Sequence, residues 1–241
     1  MKHYGLVGYP LGHSLSAAYF GEKFGHEGID ADYTLAAIAS IEELPSVVDG
    51  WSGFNVTIPY KKAVVPFLAH VSAEATAVGA VNCVRRERDG SLSGFNTDIE
   101  GIRATLASFG DLRGIKALVL GSGGAAAAVR YVLRERGVVF LTVSRTKERG
   151  DSVYADLTEE CVAEHRLIIN ATPVGMYPAI DNAPALPYGA ITARHILFDL
   201  IYNPAQTKFL ALGAAQGARI FNGREMFVRQ AEASWRIWNE R

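Results

Sequence analysis

Lys116-Ala117-Leu118-Val119-Leu120-Gly121-Ser122-Gly123-Gly124-Ala125-Ala126 opens on a short apolar run, crosses three glycines and continues into an alanine-rich helical pattern. A buried strand, a glycine turn and a helix in that order form the opening unit of a dinucleotide-binding fold. Glycines let the backbone come close to a pyrophosphate, and a helix N-terminus offers unpaired N–H donors and a favourable dipole. The same residues could also form a purely structural tight turn.

The downstream sequence repeats the alternation. The helical pattern runs to Arg136, and strands are expected at Val138 to Val143, Leu167 to Asn170 and Ile196 to Leu200. Strands separated by helices imply a parallel sheet covered on its faces. At the end of the second strand, an NAD site usually carries Asp or Glu for the ribose 2′-hydroxyl. This chain has Ser144-Arg145-Thr146-Lys147-Glu148-Arg149. Arginine can grip a 2′-phosphate that a carboxylate would repel, which favours NADP, although a solvated basic loop has the same composition. Between Val143 and Leu167 there is little room for a regular helix. Ala171 to Arg194 has four prolines and no periodicity, the mark of a functional or disordered loop.

Upstream, His3 to Val7 and Ala31 to Leu35 read as strands, and Ala17 to Phe24 and Ile41 to Val48 as helices. Phe54-Asn55-Val56-Thr57-Ile58 alternates with a period of two, which buries Phe54, Val56 and Ile58 and turns Asn55 and Thr57 the other way. Pro59 ends that strand and leaves Lys61 at its end. An ammonium there can protonate a developing alkoxide; an isolated lysine is equally a surface residue. Asp89-Gly90 signals a hairpin. A two-residue loop would set Asn82 opposite Thr97, beside Asp98, which could also cap the helix expected over 98–109. Ser14 and Ser16 either cap the first helix or hold an anionic ligand. The last helix, entered through Asn222-Gly223-Arg224-Glu225, has Phe227, Ala231, Ser234, Trp235 and Trp238 on its apolar stripe, with Gln230 among them.

Bulk properties narrow the class. The 241 residues carry a formal net charge of −1, with 49% hydrophobic and 20% charged residues, ordinary for a globular chain. The basic residues are dispersed, which argues against nucleic acid as a partner. No apolar run approaches the roughly 20 residues of a membrane span, and the first residues lead straight into strand-like sequence without a signal-peptide pattern. A cytoplasmic protein with no membrane partner is expected. Cys83 and Cys161 stand apart and are expected to be buried free thiols. The six histidines show no metal-ligand spacing, so no metal is expected.

Taken together, Gly8-Tyr9-Pro10 with Ser14-Leu15-Ser16, Asn55-Val56-Thr57-Ile58-Pro59-Tyr60-Lys61, Gly79-Ala80-Val81-Asn82, Asn96-Thr97-Asp98, the glycine loop, Arg145-Thr146, Asn170-Ala171-Thr172 and Asp199-Leu200-Ile201-Tyr202 resemble, in order, the motifs of the shikimate dehydrogenase family. The resemblance implies an α/β N-terminal substrate-binding domain, residues 1–97 with 225–241. It also implies a Rossmann-type, doubly wound NADP-binding domain over 98–224. The implied activity is reversible NADPH-dependent reduction of 3-dehydroshikimate to shikimate, on the pathway to chorismate and aromatic amino acids. Lys61 is the implied acid/base, oriented by Asp98. Ser14, Ser16 and Tyr202 would hold the substrate carboxylate, Thr57 would line the pocket, and Asn82, Asp98 and Gln230 would bond the ring hydroxyls. Gly121, Ser122, Gly123, Gly124 and Ala125 would take the pyrophosphate. Ser144, Arg145, Thr146 and Arg149 would surround the 2′-phosphate, Ser144 standing where the family usually has Asn. Leu200 and Gly223 would lie near the nicotinamide. Quinate or an amino-substituted relative is the rival substrate, and a non-catalytic binding module of the same fold is the rival of another class. The assembly, monomer or homodimer, is left open.

Overall fold

A computed structural model describes residues 1–11 and 14–240; Gly12 and His13 of the N-terminal motif lie outside the described residues. The chain divides into two compact units, residues 1–97 with 230–241 and residues 98–229.

The first unit contains β1 (Lys2–Gly8), α1 (Ser16–Glu27), β2 (Ala31–Ala37), α2 (Leu44–Val47), β3 (Gly53–Val56), β4 (His70–Val71), α3 (Ala73–Val78), β5 (Cys83–Arg86) and β6 (Leu92–Phe95). Its sheet has the order β2-β1-β3-β5-β6-β4. Only β5 runs against its neighbours, so β1, β2, β3, β4 and β6 all end at one edge. Phe54, Val56 and Val84 pack on one face with Val7, Leu44 and Val64, and Tyr4, Phe20, Phe24 and Trp238 pack on the other. The sheet is covered on both faces, so Asn55, alternating with Phe54 and Val56, is buried as well.

Three expectations are corrected. The strand over 54–58 ends at Val56, and Ile58, expected to be buried, is 60% exposed; Asn55 turns away from Phe54 and Val56 as expected and is buried there. The helix over 41–48 is a short 3₁₀ turn, Ile41–Glu43, leading into the four-residue α2. The hairpin is also shifted by one residue: Cys83 faces Phe95 and Arg86 faces Leu92. Glu87 N–H donates to Ser91 O at 2.8 Å and Gly90 N–H to Glu87 O at 3.0 Å, with Gly90 at φ 87°. The loop is therefore Arg88-Asp89-Gly90, a three-residue turn closed by a left-handed glycine. The Asp89 carboxylate accepts from the Ser91 N–H at 2.9 Å and stabilises that longer turn.

The second unit contains α4 (Asp98–Ala107), β7 (Lys116–Leu120), α5 (Gly124–Glu135), β8 (Val139–Ser144), β9 (Ser152–Val153), α6 (Glu159–Glu164), β10 (Leu167–Asn170), β11 (Ile196–Asp199), α7 (Lys208–Ala215) and β12 (Arg219–Phe221). The last helix, α8 (Arg224–Asn239), starts in this unit and ends in the first. The sheet is fully parallel, in the order β12-β11-β10-β7-β8-β9. Counted from β7 this is 3-2-1-4-5-6, the doubly wound Rossmann order, with the direction of winding reversing between β7 and β10. The crossover from β8 to β10 holds only short turns, the two-residue β9 and the six-residue α6. Cys83 is buried as expected, whereas Cys161, on α6, is only partly so and packs at the margin of the second unit's core. No described helix is long and apolar enough to cross a membrane.

Candidate active site

In the first unit the candidate substrate residues collect at the edge where the parallel strands end. Ser14 and Ser16 follow β1, Thr57 and Lys61 follow β3, Asn82 precedes the antiparallel β5, and Thr97 follows β6. The carboxyl edge of a parallel sheet is where loops can converge on a ligand without disturbing the ladder.

Local bonds fix each of these loops. Ser14 Oγ accepts from the Ser16 N–H at 3.2 Å, so this hydroxyl supports the start of α1, and Ser16 is buried. Thr57 N–H donates to Val7 O at 2.9 Å, and its methyl lies where a Cβ on Gly8 would stand. Only glycine at position 8 lets the two loops approach. Lys61 is half-buried, and its carbonyl accepts from the Val81 N–H at 2.7 Å, which ties the lysine turn to the segment carrying Asn82.

Asn82 and Thr97 come together despite the shifted register, through side chains. The Asn82 Oδ1 accepts from the Thr97 N–H at 2.7 Å and from the Thr97 hydroxyl at 3.2 Å. Thr97 Oγ1 also lies 3.2 Å from Ser234 Oγ and 3.4 Å from Gln230 Oε1. Gln230 thus reaches this edge from α8, as its place on the apolar stripe implied.

Sequence reasoning missed the layer beneath. Buried Asn55 donates through Nδ2 to Asn82 O at 3.1 Å and Ser234 Oγ at 2.9 Å, and its Oδ1 accepts from Tyr33 OH at 2.9 Å. A buried amide with its donors and acceptor satisfied holds its neighbours in one arrangement. The available signal was Ser234, one turn from Gln230 on the same stripe. Asp98, the first residue of α4, is 5% exposed and follows Thr97 directly in the chain.

In the second unit, Gly121 follows β7 at φ 114°, where a Cβ would lie 3.0 Å from Ala171 O, the carbonyl just after β10. The glycine therefore sits at the winding reversal, both in a left-handed conformation and in close approach. Gly123 is the N-cap residue just before α5 and has nothing within 4 Å of its Cβ position, which leaves open space before the helix N-terminus. That combination fits a pyrophosphate group, and Ser122, Gly124 and Ala125 complete the loop. Ser144 is buried, its hydroxyl donating to Thr146 O and accepting from the Thr146 N–H at 3.2 Å. It shapes the turn that presents Arg145, Thr146 and Arg149, all exposed.

The two remaining motifs interlock around Asp199. Its Oδ1 accepts from Asn170 Nδ2 at 3.1 Å and the Ile201 N–H at 3.0 Å, and its Oδ2 from Thr207 Oγ1 at 2.6 Å. Asn170 Oδ1 accepts from the Thr172 hydroxyl at 2.6 Å. Leu200 and Gly223 meet as well: a Cβ on Gly223 would stand 2.1 Å from Leu200 O. Tyr202 packs its ring 5.0 Å from that of Phe227.

Burial pushes the Asp199 acid up to about 6, with the three donors pulling the other way. Its folded value lies above the ordinary aspartate value of about 3.9. The resulting stability is therefore fully present below pH 4 and lost as pH rises through 6. Two units correspond to about 3 kcal/mol. Asp199→Asn removes the titration, so its stability relative to the wild type should improve by up to that amount between pH 4 and pH 7. Urea denaturation at both pH values checks this; a constant difference between the two proteins would contradict it.

Residues 6–84 match the family model of the shikimate dehydrogenase substrate binding domain. The NADP(+) shikimate dehydrogenase of Oleidesulfovibrio alaskensis is 40% identical over 99% of this chain and 90% of its own length. The Thermus thermophilus shikimate 5-dehydrogenase, solved with NADP(H) and shikimate, superposes with a TM-score of 0.88 at 34% identity, covering 99% of this chain and 94% of that one. The quinate dehydrogenase of Corynebacterium glutamicum, solved with NAD, gives a TM-score of 0.88 at 27% identity, covering 99% and 93%.

Proposed function

The chain belongs to the shikimate dehydrogenase family, and on that premise we propose that it reduces the C3 ketone of 3-dehydroshikimate to shikimate with NADPH and catalyses the reverse oxidation. When bound, the cofactor supplies the hydride. The observation that carries the reading in the chain itself is the polar array on the carboxyl edge of the first sheet. There Lys61 stands in a loop bonded to the Asn82 segment, and Asn82, Thr97 and Gln230 form one network.

Lys61 gives a proton to the ketone oxygen as charge develops on it, and takes it back in the oxidation. Asp98 is the carboxylate partner in this chemistry, accepting a hydrogen bond from a ring hydroxyl. Asn82 and Gln230 read the remaining hydroxyls, since neutral amides both donate and accept. Ser14, Ser16, Thr57 and Tyr202 offer hydroxyls to the ring carboxylate. Gly121 to Ala125 hold the pyrophosphate, Arg145, Thr146 and Arg149 the 2′-phosphate, with Leu200 and Gly223 beside the nicotinamide. A cytoplasmic place on the route to chorismate and the aromatic amino acids follows from this chemistry.

A steady-state assay crossing shikimate and quinate with NADP and NAD tests the reading. Shikimate with NADP is expected to give the highest kcat/KM. The quinate dehydrogenase likeness makes quinate with NAD the combination to beat, and its dominance would overturn the substrate assignment. No turnover with any pair would leave the non-catalytic module standing.

A further inference from the structure

Asp199 is a buried titratable group that the proposed chemistry does not use. It is the last residue of β11, fully buried, and stands in register beside Asn170, the last residue of β10. Among the described residues no cation pairs with it, and three neutral donors face its charge. Neutral donors return only part of the solvation that a carboxylate loses on burial, which is why its acid is pushed up to about 6. A charge kept at such a cost, at the carboxyl end of a sheet strand, marks a functional position.

The three donors tie two loops together. Asp199 Oδ1 accepts from Asn170 Nδ2 and the Ile201 N–H, and Oδ2 accepts from the Thr207 hydroxyl. Asn170 extends the hold along the loop after β10: its Oδ1 accepts from the Thr172 N–H at 3.1 Å, and Thr172 Oγ1 accepts from the Val174 N–H at 3.2 Å. Thr207 extends it along the loop after β11. It is fully buried, and its Oγ1 accepts from the Leu210 N–H at 3.4 Å at the start of α7. Farther out the loops meet again, where Tyr177 N–H donates to Asn203 O at 3.5 Å. Leu200 lies between the two anchors, its N–H donating to Asn170 O at 3.0 Å.

Only the ionised carboxylate accepts all three bonds. A protonated Oδ2 would have to donate to Thr207 Oγ1, leaving the Thr207 hydroxyl proton buried without an acceptor. The titratable group facing Asp199 is the Tyr188 phenol, whose OH donates to Pro184 O at 2.9 Å. Burial, and then the Asp199 charge, raise that phenol, so it stays neutral while Asp199 titrates.

We infer that Asp199 is a positioning residue: its ionised carboxylate fixes the loops after β10 and β11 in the arrangement that receives the nicotinamide half of the cofactor. The inference rests on the proposed function, which sets Leu200 and Gly223 beside that ring.

Calorimetric titration of the full chain with NADP and with adenosine 2′,5′-bisphosphate, a fragment without nicotinamide, tests it. Asp199→Ala is expected to weaken NADP about tenfold or more, the scale of one buried hydrogen bond left unmade, and the fragment less than about twofold. Asp199→Asn keeps the shape and decides if the alanine variant does not fold; it should weaken NADP about threefold or more, with the fragment again unchanged. Equal losses for both ligands would make the carboxylate a support of the whole unit and overturn the inference, as would unchanged affinities. The pH profile gives a reading that a support of the fold does not produce. In the wild type the ratio of NADP to fragment affinity should rise as pH passes upward through about 6, whereas in Asp199→Asn it should stay flat. Both ligands carry the 2′-phosphate, so its own titration cancels in the ratio. A flat wild-type ratio overturns the inference. A wild type that binds neither ligand would remove the cofactor reading and this inference with it, whereas binding of both with equal losses in the variants would sink the role of Asp199 alone. Because binding is read without turnover, a failed dehydrogenase assay leaves these outcomes unaffected.

Discussion

Lys61→Ala is expected to lower kcat for shikimate oxidation by about 10²–10⁴-fold, the usual cost of removing a positioned proton donor. The side chain is half-buried and forms no part of the apolar clusters, so the fold should survive. The backbone bond from Val81 N–H to Lys61 O, at 2.7 Å, does not depend on the side chain. Shikimate binding, measured separately by calorimetry, should change by only a few-fold, because Asn82, Thr97 and Gln230 keep their network. Lys61→Arg tests charge against proton transfer. A guanidinium preserves the positive charge but does not give up its proton near neutral pH. It should therefore bind substrate and remain slow. Wild-type kcat in Lys61→Ala would end the acid/base assignment, whereas a collapse of binding with kcat retained would make Lys61 a ligand anchor.

The second large effect is expected from Gly223→Ala. Its Cβ would stand 2.1 Å from Leu200 O and 2.6 Å from Leu200 C, both backbone atoms that cannot rotate away. Leu200 is held by its N–H to Asn170 O at 3.0 Å, and Gly223 by its N–H to Ile201 O at 3.0 Å. Relief requires moving the end of β11 or the start of α8. A loss of about 3 kcal/mol in unfolding free energy is expected, together with weakened NADP binding. Gly123→Ala is the contrasting case. Its φ is −80° and nothing lies within 4 Å of the added methyl, so stability should stay within about 0.5 kcal/mol. NADP affinity should nonetheless fall, because the methyl occupies the space a pyrophosphate needs. Denaturation curves paired with cofactor titration separate the two. Equal stability losses would mean that Gly123 is packed, and unchanged NADP affinity in Gly123→Ala would remove the pyrophosphate from this loop.

The second unit was more legible than the first. Its central strands are short apolar runs, buried throughout except at Lys116, so β7, β10 and β11 fall within a residue of expectation. The first unit mixes strand directions and has short elements. The turn of Asn55 away from Phe54 and Val56 was legible, but not its burial, because α8 covers the face it points to, which local alternation cannot register.

From sequence alone came the strand–helix alternation of the second unit, its doubly wound sheet and the family. Each depends on local pattern or on a motif contiguous in the chain. Tertiary structure alone decided the one-residue shift of the hairpin, the Asn55–Asn82–Thr97–Ser234 network, the closure of Asp199 by three donors and the contact that demands glycine at 223. These depend on which backbone atoms remain unsatisfied or crowded once distant segments pack. A sequence names the donors and acceptors; only packing determines which of them meet.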